Sequence, residues 1–316
     1  MPSNSLPKQQ RFVAPLEDAP LQAIDAVKTS DKPRTTWGDA WKSMRSRPMF
    51  WVSSVLILFI LFVSVAPGVF TNESPNQGCL LANSDGAPVS GHPFGFTRQG
   101  CDVFARVLYG AQASVMVGFL ATIIVVIAGV IIGSLAGYYG GWLDSVVSRI
   151  GDIFFAIPIV LGSIVIMSTV DNRTPLLVAL VIALFAWPQI ARIMRGAVMT
   201  AKQADYVTAS IALGLSRFRI LLRHVLPNAI APVIAVATVS LGTYIVAEST
   251  LSFLGIGLPP STMSWGNDIS QARTSLATNP LVLVFPAGAL SITVLSFLML
   301  GDVVTDALDP KERARR

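Results

Sequence analysis

The stretch SVMVGFLATIIVVIAGVIIGSLAG, residues 114–137, decides most of what this chain can become. It carries no charged residue along its whole length. An apolar helix of about 20 residues crosses a hydrocarbon core of about 30 Å. In lipid every backbone donor and acceptor has to be satisfied internally, which a helix achieves within its own segment. The stretch marks a span at about 113–136. The alternation in units of about ten residues that marks a membrane barrel strand is absent. Similar apolar runs lie at about 50–70, 146–168, 176–194, 230–253 and 281–303. Composition agrees: 53% of the residues are hydrophobic and 13% are charged, against about 25% charged in an ordinary soluble domain. The expected fold is an all-α integral membrane protein with six transmembrane helices.

Orientation follows from Lys and Arg, which concentrate on the cytoplasmic side of membrane proteins. Lys8, Arg11, Lys28, Lys32, Arg34, Lys42, Arg45 and Arg47 precede the first run. Arg192, Arg195, Lys202, Arg217, Arg219 and Arg223 surround the segment between the fourth and fifth runs, and Lys311, Arg313, Arg315 and Arg316 close the chain. The segments 71–112, 169–175 and 254–280 hold only Arg98, Arg106, Arg173 and Arg273. Both termini are therefore expected in the cytoplasm of a bacterial inner membrane. The net charge of +5 is a topology signal, and its division among tails and loops gives no support to nucleic-acid binding.

This ordering sets the expected domains. Residues 1–48 form a cytoplasmic tail, largely disordered because the part up to 36 is polar and aperiodic. Residues 36–48, with Trp37 and Trp41, form a short interfacial helix or simply anchor the first span. Residues 49–70 are the first membrane helix. A polar tail precedes it and no small-residue cleavage site comes after it, so it is expected to remain as an anchor. Residues 71–112 form an external loop, 113–304 a five-helix core, and 305–316 a cytoplasmic tail. The two cysteines, Cys79 and Cys101, share the external loop. An oxidising compartment favours a disulfide there, with two free thiols as the alternative. Gly129, Gly133 and Gly137 recur every four residues, a spacing that lets membrane helices approach closely.

Polar residues inside spans are functional candidates by default. Asp152 lies near the cytoplasmic end of the third run, and Glu248 lies deeper, toward the outer end of the fifth. Glu248 could carry protons, or could hydrogen-bond Ser249, Thr250 or a neighbouring chain and fix helix packing. Pro158 and Pro188 are expected to bend their helices. No phosphate-binding G-x-x-x-x-G-K-[ST] and no H-E-x-x-H is present. The two histidines, His92 and His224, assemble no catalytic constellation. No catalytic residue, cofactor site or metal site is therefore expected in this chain.

The segment DYVTASIALGLSRFRILLRHVLPN, residues 205–228, is the most structured of the basic loops. Ala204, Val207 and Ile211 share one helical face. Gly214 suits a helix C-terminus and Ser216 the next N-cap. Phe218, Leu221, Leu222 and Val225 form a stripe from which Ile220 departs. Pro227 closes the segment. Two short helices on the membrane face, with the small Ala209 and Ser210 at the tip, suit a partner's groove or an ordinary interfacial pair.

The pattern T-A-S-x-x-x-G, nine residues, then H-V-L-P resembles the EAA loop of type I ABC importer permeases. Thr208 stands for the Glu of that motif, Ser210 for its second Ala, and His224 for its apolar residue, as in peptide permeases. HPFGFTRQGCDV, RVLYGAQASVMVG, GYYGGWLD, ARIMRGAVM, ESTLSFLGIGLPP, SWGNDI and LGDVVTDALDPK extend the resemblance over about 45–312. It points to the C-type subunit of dipeptide/oligopeptide permeases, with Cys101 where the family usually has Arg. The resemblance implies that residues 199–228, with Asp205, Thr208, Ala209, Ser210, Gly214, His224 and Pro227, couple to a separate ATPase. It implies a homologous second permease, two ATP-binding subunits and an extracytoplasmic substrate-binding protein as partners. ATP and Mg would be bound by the ATPases and none by this chain. Nickel, glutathione or haem are alternative cargoes within the same family, and a proton-coupled transporter using Glu248 is the alternative from another class.

Overall fold

The computed structural model describes residues 36–308. Most of the expected N-terminal tail, and the end of the C-terminal one, lie outside the described residues. Described helices are α1 (Thr36–Arg45), α2 (Pro48–Val65), α3 (Val103–Tyr139), α4 (Gly141–Phe155), α5 (Ile159–Met167), α6 (Pro175–Ala201), α7 (Asp205–Ala212), α8 (Arg217–Ile220), α9 (Leu226–Ala229), α10 (Ala231–Phe253), α11 (Trp265–Ala272) and α12 (Leu281–Leu308). The end of the N-terminal tail is thus helical: α1 turns into α2 through Arg47, and Pro48 opens α2 where its missing N–H costs nothing.

Five of these helices, α2, α3, α6, α10 and α12, are long and apolar enough to cross a membrane. The third expected span, 146–168, is not one continuous helix. It is the pair α4 and α5, bent by 81° at a short break. Pro158 is the cause: it sits in extended conformation with φ −57° and ψ 129°, and it disfavours helical geometry at the preceding residue. The helix register nevertheless requires this pair to cross. Gly129 packs on Ile190 and Gly137 on Arg195, so α3 and α6 run parallel. The end of α3 is thus level with the end of α6, and only α4–α5 returns the chain to the start of α6. Counted this way the spans number six.

The glycine ladder explains the closest of these contacts. A Cβ on Gly133 would lie 2.3 Å from the Ala191 carbonyl oxygen, and one on Gly137 2.7 Å from that of Arg195. Here the backbones of α3 and α6 touch, as small-residue spacing predicts. Helix α10 runs antiparallel to both α3 and α12, with Gly118 against Ile245 and Gly301 against Val239. The core lies where α3, α6 and α10 meet, around Val117, Ile182, Met194 and Val233. Helix α2 leans on α12 from outside, tied at one end by Arg47 and Asp306. Arg47, Lys202 and the arginines of 217–223 share that end, the basic side of the molecule. The stretch before the span at 113 is helical too, as its sequence suggests: α3 begins at Val103, where Asp102 caps it by accepting the Ala105 N–H at 2.9 Å.

Candidate coupling loop and buried polar residues

The basic loop is fixed at its start by Lys202, whose Nζ donates to the Gly137 carbonyl at 2.7 Å. Helix α7 then buries Val207 and Ser210 and exposes Asp205, Thr208, Ala209 and Ile211. Ser210 is therefore not part of an exposed tip; its hydroxyl donates to the Tyr206 carbonyl at 2.7 Å. Gly214 has φ +77°, with nothing within 4 Å of where a Cβ would sit. Backbone conformation alone, not space, asks for glycine there. Ser216 caps the next helix by accepting the Arg219 N–H at 3.4 Å.

The expected apolar stripe of that helix is corrected by a wide turn. Residues Leu221–Val225 form a π-helical turn, closed by Leu226 N–H donating to the Leu221 carbonyl. Pro227 cannot donate to the Arg223 carbonyl and its ring crowds that oxygen, so the widened turn relieves the clash. The extra residue rotates the buried face. Ile220, Leu221, Val225 and Ala229 are buried, while Phe218 and Leu222 are 57% and 48% exposed. His224 is half-buried, and its carbonyl accepts from the Asn228 side-chain amide at 2.7 Å. The loop thus presents Ile211, Leu213, Phe218 and Leu222 to the outside, bordered by Arg217, Arg219 and Arg223. Exposed apolar side chains beside cations on a braced loop are suited to bind another protein.

Glu248 is completely buried in α10. Ser252 donates to one of its oxygens at 2.8 Å and Ser249 to the other at 3.2 Å. Hydroxyls of Ser114 on α3 and Ser264 before α11 also reach it. Thr250, one of the expected partners, bonds the Val246 carbonyl instead. The carboxyl therefore joins α3, α10 and the segment leading to α11. Glu248→Gln is expected to keep uptake and to cost about 1 kcal/mol or less, because serine hydroxyls can turn to accept from an amide. Glu248→Leu strands the hydroxyls at about 1–3 kcal/mol each. Melting temperature and uptake, measured together, check both; loss of uptake in a normally stable Gln variant would indicate a proton-carrying role.

A second buried polar cluster, not anticipated from the sequence, sits at the side opposite the basic loop. Arg106 of α3 pairs with Asp268 of α11 through Nη2, and its Nε donates to the same oxygen at 3.0 Å. Its Nη1 donates to the Asn76 side-chain oxygen at 3.1 Å, and Nη2 also donates to that of Gln271 at 3.2 Å. The signal lies in Arg106 itself, a charge on the face of α3 that also buries Val103 and Val107. Burial pushes the Asp268 carboxyl up to about 6 and outweighs the attraction of Arg106. A raised carboxyl favours the fold while protonated, so this contribution is full below about 4 and is lost as pH rises through about 6. Asp268→Asn, which copies the protonated form in shape, is expected to remove that dependence. Wild type should lose melting temperature relative to the variant between pH 4.5 and 7.5 in detergent.

Cys79 and Cys101 are joined in a disulfide with Cα atoms 4.4 Å apart. Next to it Gly100 presses on the Leu80 carbonyl, leaving no room for a side chain. Asp152 stands on α4, its Oδ1 accepting from Arg192 Nη2 of α6 at 3.2 Å, both side chains more than half exposed. Pro158 is at the bend. The structure thus gathers the residues of the basic loop on one side, Glu248 and the disulfide toward the other, and Asp152 between α4 and α6.

A parallel α3–α6 pair, an antiparallel α10 and a braced loop between α6 and α10 make up a membrane-spanning helical bundle. Residues 129–314 match the family described as "Binding-protein-dependent transport system inner membrane component", and residues 35–84 the "N-terminal TM domain of oligopeptide transport permease C". The chain belongs to that family of transport permeases. It is 36% identical over 298 residues to the oligopeptide transport system permease protein OppC of Bacillus subtilis (strain 168), covering 94% of this chain and 97% of that one. It is 35% identical over 293 residues to the glutathione transport system permease protein GsiD of Escherichia coli O6:K15:H31, covering 93% and 96%. Among solved structures, a chain of the MetNI methionine ABC transporter in inward facing conformations aligns with TM-score 0.53 and 21% identity, over 65% of this chain and 96% of that one. At that identity the likeness speaks for the fold alone. The protein is a multi-pass membrane permease of an ABC importer.

Proposed function

We propose that this chain is one of two homologous permease subunits of a peptide importer, with its basic side in the cytoplasm and the Arg106–Asp268 side facing out. Two ATP-binding subunits bind ATP and Mg and dock on residues 199–228, and an extracytoplasmic binding protein delivers the cargo. This chain itself is non-catalytic and holds no cofactor. The pathway lies between the two permeases. ATP-driven closure of the motor moves the docked loops and switches which side is open, a two-state change biased by ligand.

The observation that carries this reading is the loop at 205–228, which is braced to α3 yet turns Leu213, Phe218 and Leu222 outward. The OppC relative, matched end to end, supports a di- or oligopeptide cargo, and the GsiD relative keeps glutathione, itself a small peptide, within the same class. Purification of the native complex, with mass spectrometry of the subunits and of the ligand released from the binding protein, tests the assignment. Recovery of a second permease, ATPases and a peptide ligand is expected; recovery of this chain without an ATPase would contradict it.

A further inference from the structure

Between α4 and α6 lies an open cavity of about 360 Å³ lined by Asp152, Phe155, Trp187, Pro188, Arg192 and Arg195 among others. Its depth matters. At 1.5 Å per residue Arg192 stands about 26 Å along α6 from Pro175, and Asp152 about 17 Å along α4 from Gly141. Both lie inside helices long and apolar enough to be read as membrane spans, α6 and the α4–α5 pair. Charged side chains at that level face a bundle interior or a water-filled passage, not lipid. Yet both are more than half exposed on this chain, so the face that carries them is covered by something other than acyl chains.

Two ion pairs link α4 to α6, and they differ in kind. Arg195 grips Asp144 with two nitrogens, Nη2 at 2.6 Å from the second oxygen, and both groups are at least two-thirds shielded. That pair clamps the helices. Arg192 and Asp152 share a single contact of 3.2 Å, and an exposed pair of this sort adds about 0–1 kcal/mol to stability. The clamp makes it redundant for docking α4. The Arg192 guanidinium carbon also sits over the Phe155 ring, 4.0 Å from its centre, a cation–π contact that helps to hold the guanidinium in place. Phe154 packs edge-on against Trp187 behind it. The result is a positioned cation and an adjacent carboxylate on an aromatic floor, joined by one exchangeable bond.

We propose that this cavity is a contact site for the charged ends of a zwitterionic, peptide-like cargo. Arg192 receives the terminal carboxylate, Asp152 the terminal ammonium, and the rings of Phe155 and Trp187 the apolar body. The site is of a size that holds small ligands, which begin at about 300 Å³. Partition of the Asp152–Arg192 bond between the two termini of the cargo keeps both charges paired as it passes. The inference rests on the peptide-permease reading above.

The test uses the complete complex in proteoliposomes with a loaded binding protein. ATP-dependent uptake is measured for one peptide with free termini, its N-acetyl form and its C-terminal amide. The same binding protein serves wild type and variants, so its own preference cancels in the ratio. Arg192→Gln is expected to lower uptake of the free peptide about tenfold more than that of the amide, the loss of one charge-assisted bond. Asp152→Asn should do the same for the free peptide relative to the N-acetyl form. Equal losses for all three peptides, or none, would overturn the proposal and leave the pair a contact between protein surfaces. A peptide with a photoreactive C-terminal residue gives a readout independent of any variant: cross-links to the segment holding Trp187 and Arg192 support the site, and cross-links confined to other segments of the complex refute it. If the wild-type complex assembles but takes up none of the three peptides, the peptide cargo itself is wrong and this site falls with it.

Discussion

A single methyl group at Gly133 is expected to keep the protein from accumulating in the membrane. Local propensity points the other way, because alanine in a helix is favoured over glycine by about 0.5–1 kcal/mol. Packing decides. The added Cβ would lie 2.3 Å from the Ala191 carbonyl oxygen and 2.9 Å from its Cα, and neither is the movable end of a side chain. To make room, α3 and α6 must separate along the contact that holds the core. We expect Gly133→Ala to cost about 3 kcal/mol or more, the upper end of ordinary overpacking. Gly288→Ala on α12 is the control, since nothing lies within 4 Å of its Cβ position. Quantitative immunoblotting of membranes, then size-exclusion of the solubilised protein, should show the Gly133 variant depleted or aggregated and the Gly288 variant at wild-type level. Equal levels would mean that the two helices are not in backbone contact.

Gly214→Val is expected to reach the membrane normally and to stop transport. Its φ of +77° is an outlier for any β-branched residue, at about 1–3 kcal/mol of strain. The space around it is open, so no core contact is disturbed and only the angle between α7 and α8 changes. That angle decides whether Ile211, Leu213 and Phe218 meet a partner's groove together. We expect uptake to fall at least about tenfold, since about 1.4 kcal/mol corresponds to a factor of ten. Ala209→Asp should act in the same direction by placing an unpaired charge in the contact. Arg219→Ala, at the edge of the apolar surface, should be milder.

Legibility of the sequence varied with the range of the interaction involved. The span at 113–136 and the Gly129–Gly133–Gly137 ladder were readable because lipid solvent and backbone approach impose local, periodic constraints. Gly214 and Ser216 were readable because caps depend on residues a few positions apart. The face of residues 217–229 was not. A 3.6-residue period placed Phe218 and Leu222 inward, and the π turn before Pro227 exposed them and buried Ile220. The break at Pro158 was announced by the proline, but its 81° size depends on how α4 and α5 pack against α6. Arg106 and Asp268 lie 162 residues apart, and no short-range pattern joins them. The same holds in part for the serines around Glu248: Ser249 was named as its sequence neighbour, Ser252 one helical turn on was missed in favour of Thr250, and Ser114 and Ser264 arrive from other elements.

Energy source is the property that separates an ABC permease from a carrier driven by its own buried carboxylate. The most direct measurement is uptake of a radiolabelled peptide into proteoliposomes holding this chain, its second permease and the ATPases, with the binding protein outside. Uptake should require ATP within and loaded binding protein without, should persist when an uncoupler collapses the proton gradient, and should survive Glu248→Gln. Uptake by this chain without ATPases, abolished by the uncoupler and by Glu248→Gln, would contradict the assignment.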